Sequence, residues 1–256
     1  MSLITDDYVF LPRMDNCCGN ASIEAGDVDK GYRAAQELVA TISSYKPEAV
    51  ILWCPTCYCR FLTTIAETME VPFQFVSFPQ YLAQNIEKLP FKGRMNKTLT
   101  LHEACKMAFA GNDCTSRRRL LQGIPGVTPV EMTRHGTGTA CCGSSAMDFF
   151  PGSMEAMRDE RLQEAAQTGA DILVDICQTC HNIFASEEPR YPYRIMSYVS
   201  VIATALGMER EDKFKKYKQW GSLSRIMEHA RELVGSSPYS SEQIITTLRS
   251  SIAPNE

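Results

Sequence analysis

One cysteine pattern occurs twice in this chain, and a repeat of that size limits the folds open to it. The doublet Cys17-Cys18 returns as Cys141-Cys142, 124 positions on. The pair Cys54 and Cys57 in CPTC returns as Cys177 and Cys180 in CQTC, 123 positions on. VPFQFVSF at 71–78 is matched by YPYRIMSY at 191–198, 120 positions on. Matches in the same order at nearly one offset mean two copies of one structural unit, not scattered cysteines.

Within each copy the signals run in the same order. After the first doublet, the stretch from Asp27 to Tyr45 places Ala35, Leu38, Val39 and Ile42 at helical spacing, which predicts a helix with one buried face. Short apolar runs follow, EAVILWC at 48–54 and ADILVDIC at 170–177, each ending on the first cysteine of its CxxC. Runs of this kind suit buried strands of a parallel sheet. Each CxxC then lies at the carboxyl end of a strand where a helix begins, which is where open α/β sheets place their ligands. Free backbone N–H groups at that point favour anionic sulfur. TLTLHEAC at 98–105 reads as the first strand of the second copy and delivers Cys105. The expected fold is therefore α/β, with two pseudo-symmetric Rossmann-like repeats at 1–97 and 98–205 and a helical extension at 206–256. In that extension FKKYKQW reads as a solvated helix face or a basic docking site.

A chain of 256 residues can bury an ordinary core and needs no cysteine staples. Its opening, MSLITDDYVF, lacks the basic start and apolar run of a signal peptide, and no apolar run reaches eighteen residues. The expected location is the cytoplasm, without membrane insertion. In that compartment structural disulfides are rare, so 11 cysteines, an odd number, point to thiolate ligands or redox chemistry. A net charge of -4 gives no broad basic field for nucleic acid.

The second copy carries the sharper chemical signal. Cys105, Cys141, Cys142, Cys177 and Cys180 bring five sulfurs from three strand ends, with 35 residues between the first two groups and 34 between the next. A tetrahedral zinc takes four ligands, so five favour a polynuclear iron centre. Adjacent side chains such as Cys141 and Cys142 point apart in extended chain, and two irons could take one each. The first copy has only Cys17, Cys18, Cys54 and Cys57, with Cys59 as a possible fifth ligand. It fits a four-thiolate cluster or zinc. His102 and His181 flank the second set and stand as candidates to tune a centre, supply a proton or brace a ligand. Cys114 reads as a packing residue, and Arg117 to Arg119 as an anion site or a solvated helix start.

HEAC, RRLLQGIPGVTPVEM, ACCGSSAM and CQTCHN together resemble the cysteine-rich, or CCG, domain family, which includes the disulfide-cleaving subunits of heterodisulfide reductases. The resemblance runs over roughly residues 15 to 205. It implies a noncubane 4Fe-4S centre held by Cys105, Cys141, Cys142, Cys177 and Cys180, at which a disulfide in a sulfur compound is cleaved or formed. It also implies a ferredoxin-like iron-sulfur subunit and a flavoprotein subunit as partners, and a thiol, disulfide or sulfur carrier as substrate. The first copy departs from the pattern by lacking a counterpart of Cys105. Three functions follow: a redox enzyme subunit acting on sulfur, an electron-transfer or assembly subunit without its own substrate, and a zinc-stabilised interaction module. The fifth cysteine counts against the last.

Overall fold

The computed structural model describes residues 1–11, 16–147 and 149–252. Its strands form two parallel sheets. β1 (Ala49–Leu52) pairs with β2 (Gln74–Ser77). The larger sheet runs in the order β4-β3-β5-β6, from β3 (Lys97–His102), β4 (Val127–Val130), β5 (Ile172–Asp175) and β6 (Arg194–Ser197). β5 is buried along its whole length, as an apolar run covered on both faces must be.

The helices repeat with the cysteines. In the first half, the short α1 (Asn20–Glu24) and the long α2 (Val28–Ser44) precede β1. The predicted face of α2 is the buried one, with Gly31 added to it. α3 (Pro55–Arg60) starts directly after Cys54 and runs through a wider turn at Phe61–Ile65 into α4 (Ala66–Thr68), and α5 (Phe78–Gln84) follows β2. The second half inserts α6 (Cys105–Phe109) and α7 (Ser116–Gln122) around its first strands. It then repeats the scheme with α8 (Pro151–Gln167), α9 (Gln178–Phe184) and α10 (Tyr198–Ala205). α2 and α8 are each 17 residues long. The two halves are unequal in one respect: among the described residues, nothing ahead of β1 corresponds to β3 and β4.

The halves share their cores. Leu82 of α5 packs with Leu99, Leu120, Ile172 and Val201 of the second half, while Met107 of α6 packs with Leu38, Phe61 and Ile65 of the first. The far face of the larger sheet is covered by Leu162 and Ala165 of α8 with Phe184 of α9, packed on Leu173 and Ile195. Alternation along β5 accounts for this: Ile172 and Val174 face one layer and Leu173 the other.

Beyond the second half come α11 (Lys213–Trp220), α12 (Leu223–His229), α13 (Arg231–Gly235) and α14 (Ser241–Ser251). The FKKYKQW helix is neither a bare solvated face nor a free docking site. Lys215 Nζ donates to Glu188 (2.6 Å) and to the Ile195 carbonyl (3.0 Å), and Lys218 Nζ donates to Asn182 (3.0 Å), so these two lysines are spent on the second half, while Lys216 pairs with Glu211 (2.6 Å) within the extension.

The glycine of each doublet has a backbone reason. Gly19 and Gly143 both have positive φ, 76° and 88°, and each turns the chain against the following long helix. A Cβ on Gly19 would strike the backbone of Gly31, and one on Gly143 would lie 2.7 Å from the Met154 carbonyl oxygen. Gly143→Ala is expected to destabilise the fold by more than ~1 kcal/mol. Gly138→Ala, which meets open space, should stay within ~0.5 kcal/mol of wild type. Urea unfolding of the full chain measures both.

Candidate metal centre

Parallel pairing brings the carboxyl ends of β3 and β5 to one level, with His102 opposite Asp175. Cys105 begins α6 just beyond β3, and Cys177 immediately precedes α9 just beyond β5. The doublet loop that ends at Gly143 supplies Cys141 and Cys142.

The five sulfurs form one continuous series. Cys105 and Cys141 are 3.8 Å apart, Cys141 interacts with Cys142, Cys142 with Cys180, and Cys180 with Cys177. Such a chain of thiols divides its protons unevenly. Cys141 is drawn far down from the ordinary thiol value by Cys105, then by Cys142, with the Gly143 N–H also facing its sulfur at 3.4 Å. Cys177 is lowered to about 7 by Cys180, helped by the N–H groups of Thr179 and Cys180 at the start of α9. Cys105 is pushed up by its contact with Cys141, and Cys180 by its contacts with Cys142 and Cys177, because each serves as proton donor to its neighbours. Thiolates are the form that binds soft metal, and Cys141 and Cys177 are the sulfurs held toward that form.

The first half gathers a smaller set. Cys57 contacts both Cys18 and Cys54, lowering the former to about 7 and the latter to about 6 while its own thiol is pushed up. Cys17 is half-buried beside them in the chain. Cys59 turns elsewhere: its Sγ donates to the carbonyl of Lys106 at 3.2 Å, on the helix that Cys105 begins. The two sets are neighbours, since the charge on Cys54 reaches Cys177. Trp53, next to Cys54 in the chain, stacks on Phe78 (centroids 5.2 Å), which meets Tyr198 edge-on (6.2 Å).

The two histidines occupy different settings. His102 is fully buried at the end of β3, and a ring nitrogen lies within 4.8 Å of the Cys142 and Cys180 sulfurs. Burial, then the neighbouring Arg161 guanidinium, pulls it down to about 3, so the ring is neutral around neutral pH. His181 is braced by two carboxylates, with Nδ1 2.7 Å from Asp175 and Nε2 2.9 Å from Asp212. Burial opposes its charge, but the two carboxylates outweigh burial and hold its pKa up at about 10. With both ring nitrogens engaged, His181 has none to offer a metal. It ties the cysteine-bearing α9 to Asp212, which also accepts from Lys215 N to start α11.

The arginine triplet is mostly internal. Arg117 is fully buried and donates to the Asp113 carbonyl at 2.7 Å, while Arg118 pairs with buried Glu103 at 2.7 Å. Neither is a solvated helix start, and only Arg119 is exposed. Cys114 is half-buried, and its carbonyl accepts from Arg118. Sequence reading missed Arg161, Asp175 and Asp212. An acidic residue inside the apolar run ILVD was a usable signal for Asp175. Nothing in the weakly patterned helix around Arg161 marks it as buried.

The CCG cysteine-rich domain pattern matches residues 3–61 and 99–185. The chain belongs to the CCG cysteine-rich domain family. Among curated relatives, this CCG protein is 27% identical over 212 residues to a subunit of the dihydromethanophenazine:CoB–CoM heterodisulfide reductase of Methanosarcina barkeri, covering 78% of this chain and 52% of that one. It is 24% identical over 174 residues to a subunit of the fumarate reductase (CoM/CoB) of Methanothermobacter marburgensis, covering 67% and 34%. It is 22% identical over 185 residues to lactate utilization protein A 1 of Bacillus mycoides, covering 67% and 74%. The chain spans about half the length of the heterodisulfide reductase subunits it matches. These relationships support an iron-sulfur redox subunit, and the donor set fits such a group: soft sulfurs in series, beside a buried His102 Nε2 that has no partner among the described residues. No described helix is long and apolar enough to cross a membrane.

The brace on α9 is testable without metal. Asp212→Ala leaves a buried imidazolium short of one carboxylate and is expected to cost about 2 kcal/mol in urea unfolding. Arg190→Ala, which breaks exposed pairs to Asp159 and Glu187, should cost no more than ~1 kcal/mol.

Proposed function

We propose that this chain is a redox subunit of the heterodisulfide reductase kind, in which the second-half sulfurs hold a noncubane 4Fe-4S centre that acts on a disulfide. The observation that carries this reading is the unbroken series from Cys105 through Cys141, Cys142 and Cys180 to Cys177. Four sulfurs would close a conventional site, and the fifth leaves the centre room to open toward a substrate sulfur while staying attached. When bound, such a centre would pass on, one at a time, the two electrons from a reduced iron-sulfur donor that cleave one S–S bond, with two protons taken up to give two thiols.

The chain's own residues divide the remaining work. Cys141 and Cys177, held toward the thiolate form, anchor metal from the doublet loop and from the start of α9. His181, fixed between Asp175 and Asp212, keeps α9 and so Cys180 in place. In the first half, Cys17, Cys18, Cys54 and Cys57 hold an auxiliary iron-sulfur cluster or zinc, with electrons arriving from a reduced ferredoxin-like iron-sulfur subunit and, through it, a flavoprotein. The closeness of Cys54 to Cys177 supports a relay from the first set to the second. Repeats at 1–97 and 98–205 with a helical 206–256 extension, working in the reducing cytoplasm on a small thiol compound or a sulfur carrier, complete the proposal. The same closeness favours one second reading, in which both sets only conduct electrons within a larger assembly.

Anaerobic metal and sulfide analysis with Mössbauer spectra is expected to give iron in excess of zinc. Cys141→Ala and Cys142→Ala should lose or convert the second-half centre, and unchanged spectra in both would refute the assignment. In the assembled complex supplied with reduced donor, Cys180→Ser is expected to lower disulfide turnover by more than about tenfold. Cys57→Ser should slow reduction of the chain or weaken its fold. If Cys57→Ser is instead reduced normally and loses only substrate binding, the two sites have been assigned in the wrong order. If no disulfide compound perturbs the EPR signal of the reduced chain, the conducting reading takes its place.

A further inference from the structure

Arg161 is a fully buried guanidinium near the middle of α8, and every group it meets belongs to the second half. Its Nη1 donates to the Arg134 carbonyl and to Glu164, each at 2.8 Å, and its Nη2 donates to the Thr139 hydroxyl at 3.1 Å. Its Nε lies 3.0 Å from Nδ1 of His102. A guanidinium nitrogen has only protons to give, so Nδ1 must accept through its lone pair. A ring carrying one proton then carries it on Nε2. That atom is buried and has no partner among the described residues. The ring lies at the sulfurs of Cys142 and Cys180, a ring nitrogen within 4.8 Å of both, and with Nδ1 spent on Arg161, Nε2 is the nitrogen left with a proton to offer them.

We propose that Arg161 is a positioning residue that holds His102 in the Nε2–H tautomer, making His102 a hydrogen-bond donor to the sulfur of the second-half centre and not one of its metal ligands. The proposal rests on the reading of that site as a metal-sulfur centre. By distance alone, the trio of His102, Cys142 and Cys180 would pass for a three-ligand metal site. The tautomer decides against it, because a nitrogen that bears a proton has no lone pair to offer a metal.

The surroundings leave the ring little freedom. Phe184 of α9 packs edge-on against it, with centroids 4.8 Å apart at 77°, so the helix that carries Cys180 also sets the imidazole plane. Arg161 itself is held on the far side by Glu164, which in turn accepts from Arg134. Because Thr139 lies two residues before Cys141, the same guanidinium that orients His102 also steadies the doublet loop. A hydrogen bond to cluster sulfur favours the more negatively charged reduced state and raises the reduction potential.

The tautomer can be read in the full metal-free chain by long-range 15N–1H correlation at neutral pH, with His102 assigned among the four histidines by the signal lost in His102→Gln. The expected result is a pyridine-type Nδ1 and a pyrrole-type Nε2. An Nδ1–H or doubly protonated ring in the unmutated chain overturns the proposal whatever the variants do. Arg161→Lys, which still has only protons to donate, should keep the tautomer. Arg161→Gln, whose amide can accept as well as donate, should give a mixture, and a folded Arg161→Gln with pure Nε2–H overturns the role of Arg161. In the reconstituted chain, His102→Leu should shift the midpoint potential of the second-half centre to more negative values, and His102→Gln, which restores an N–H, should move it back. An unchanged potential in His102→Leu overturns the hydrogen bond to the centre. A chain that assembles no metal-sulfur centre fails the functional reading as well. One that assembles it and shows Nδ1–H fails this proposal alone.

Discussion

The pairing of β3 with β5 governs the second site. The strands run parallel in register from Leu99 opposite Ile172 to His102 opposite Asp175, so both end at the same edge of the sheet. Each then passes within a few residues into a helix, α6 or α9, and the N–H groups that open α9 face the Cys177 sulfur. An antiparallel arrangement would have sent Cys105 and Cys177 to opposite ends of the strands, about 20 Å apart for a six-residue strand. The doublet loop needs only to fold over that edge to complete the set. Gly143 allows this by turning with positive φ where α8 passes too close for a side chain.

Around those sulfurs the second half has a buried polar frame. Arg161, Glu164, His102 and Thr139 form one part of it, and Asp175 with His181 the other, which half-buried Asp212 of the C-terminal extension completes. Buried charges of this kind are costly to desolvate and contribute little net stability, so their value lies in fixing one arrangement of the groups they touch. Here they touch the elements that carry cysteine: the end of β3, the doublet loop and α9. The first half has no equivalent at the matching positions. Tyr58 stands where the second half has His181, and Leu52 where it has Asp175. The repeat therefore preserved the fold of the two copies while only one acquired the apparatus that orients a five-sulfur set.

The two halves also depend on each other. Leu82 from the first completes the core of the second, Met107 from the second completes that of the first, and Cys59 reaches across to the Lys106 carbonyl. Two sulfur sets on halves joined in this way are held at a constant separation. The C-terminal helices add a third fastening through Asp212, Lys215 and Lys218.

Much of this is legible in the sequence. Spacing showed the repeat, the apolar runs ending at Cys54 and Cys177 showed the strands, and the helical face of α2 emerged residue by residue, because these are local patterns with short periods. The count of five against four cysteines marked the two sets as different. The sequence by itself determined which residues could be ligands and at which ends of which strands they would lie. Tertiary structure alone decided which of their neighbours matter. Arg161 is charged and sits in a helix with little amphipathic pattern, so its burial against His102, 59 positions away, is visible only once α8 packs on the sheet. The fate of Arg117, of His181 and of the lysines in α11 was hidden for the same reason: a charged side chain looks alike in sequence whether it meets water or a buried partner, and only the fold supplies the partner.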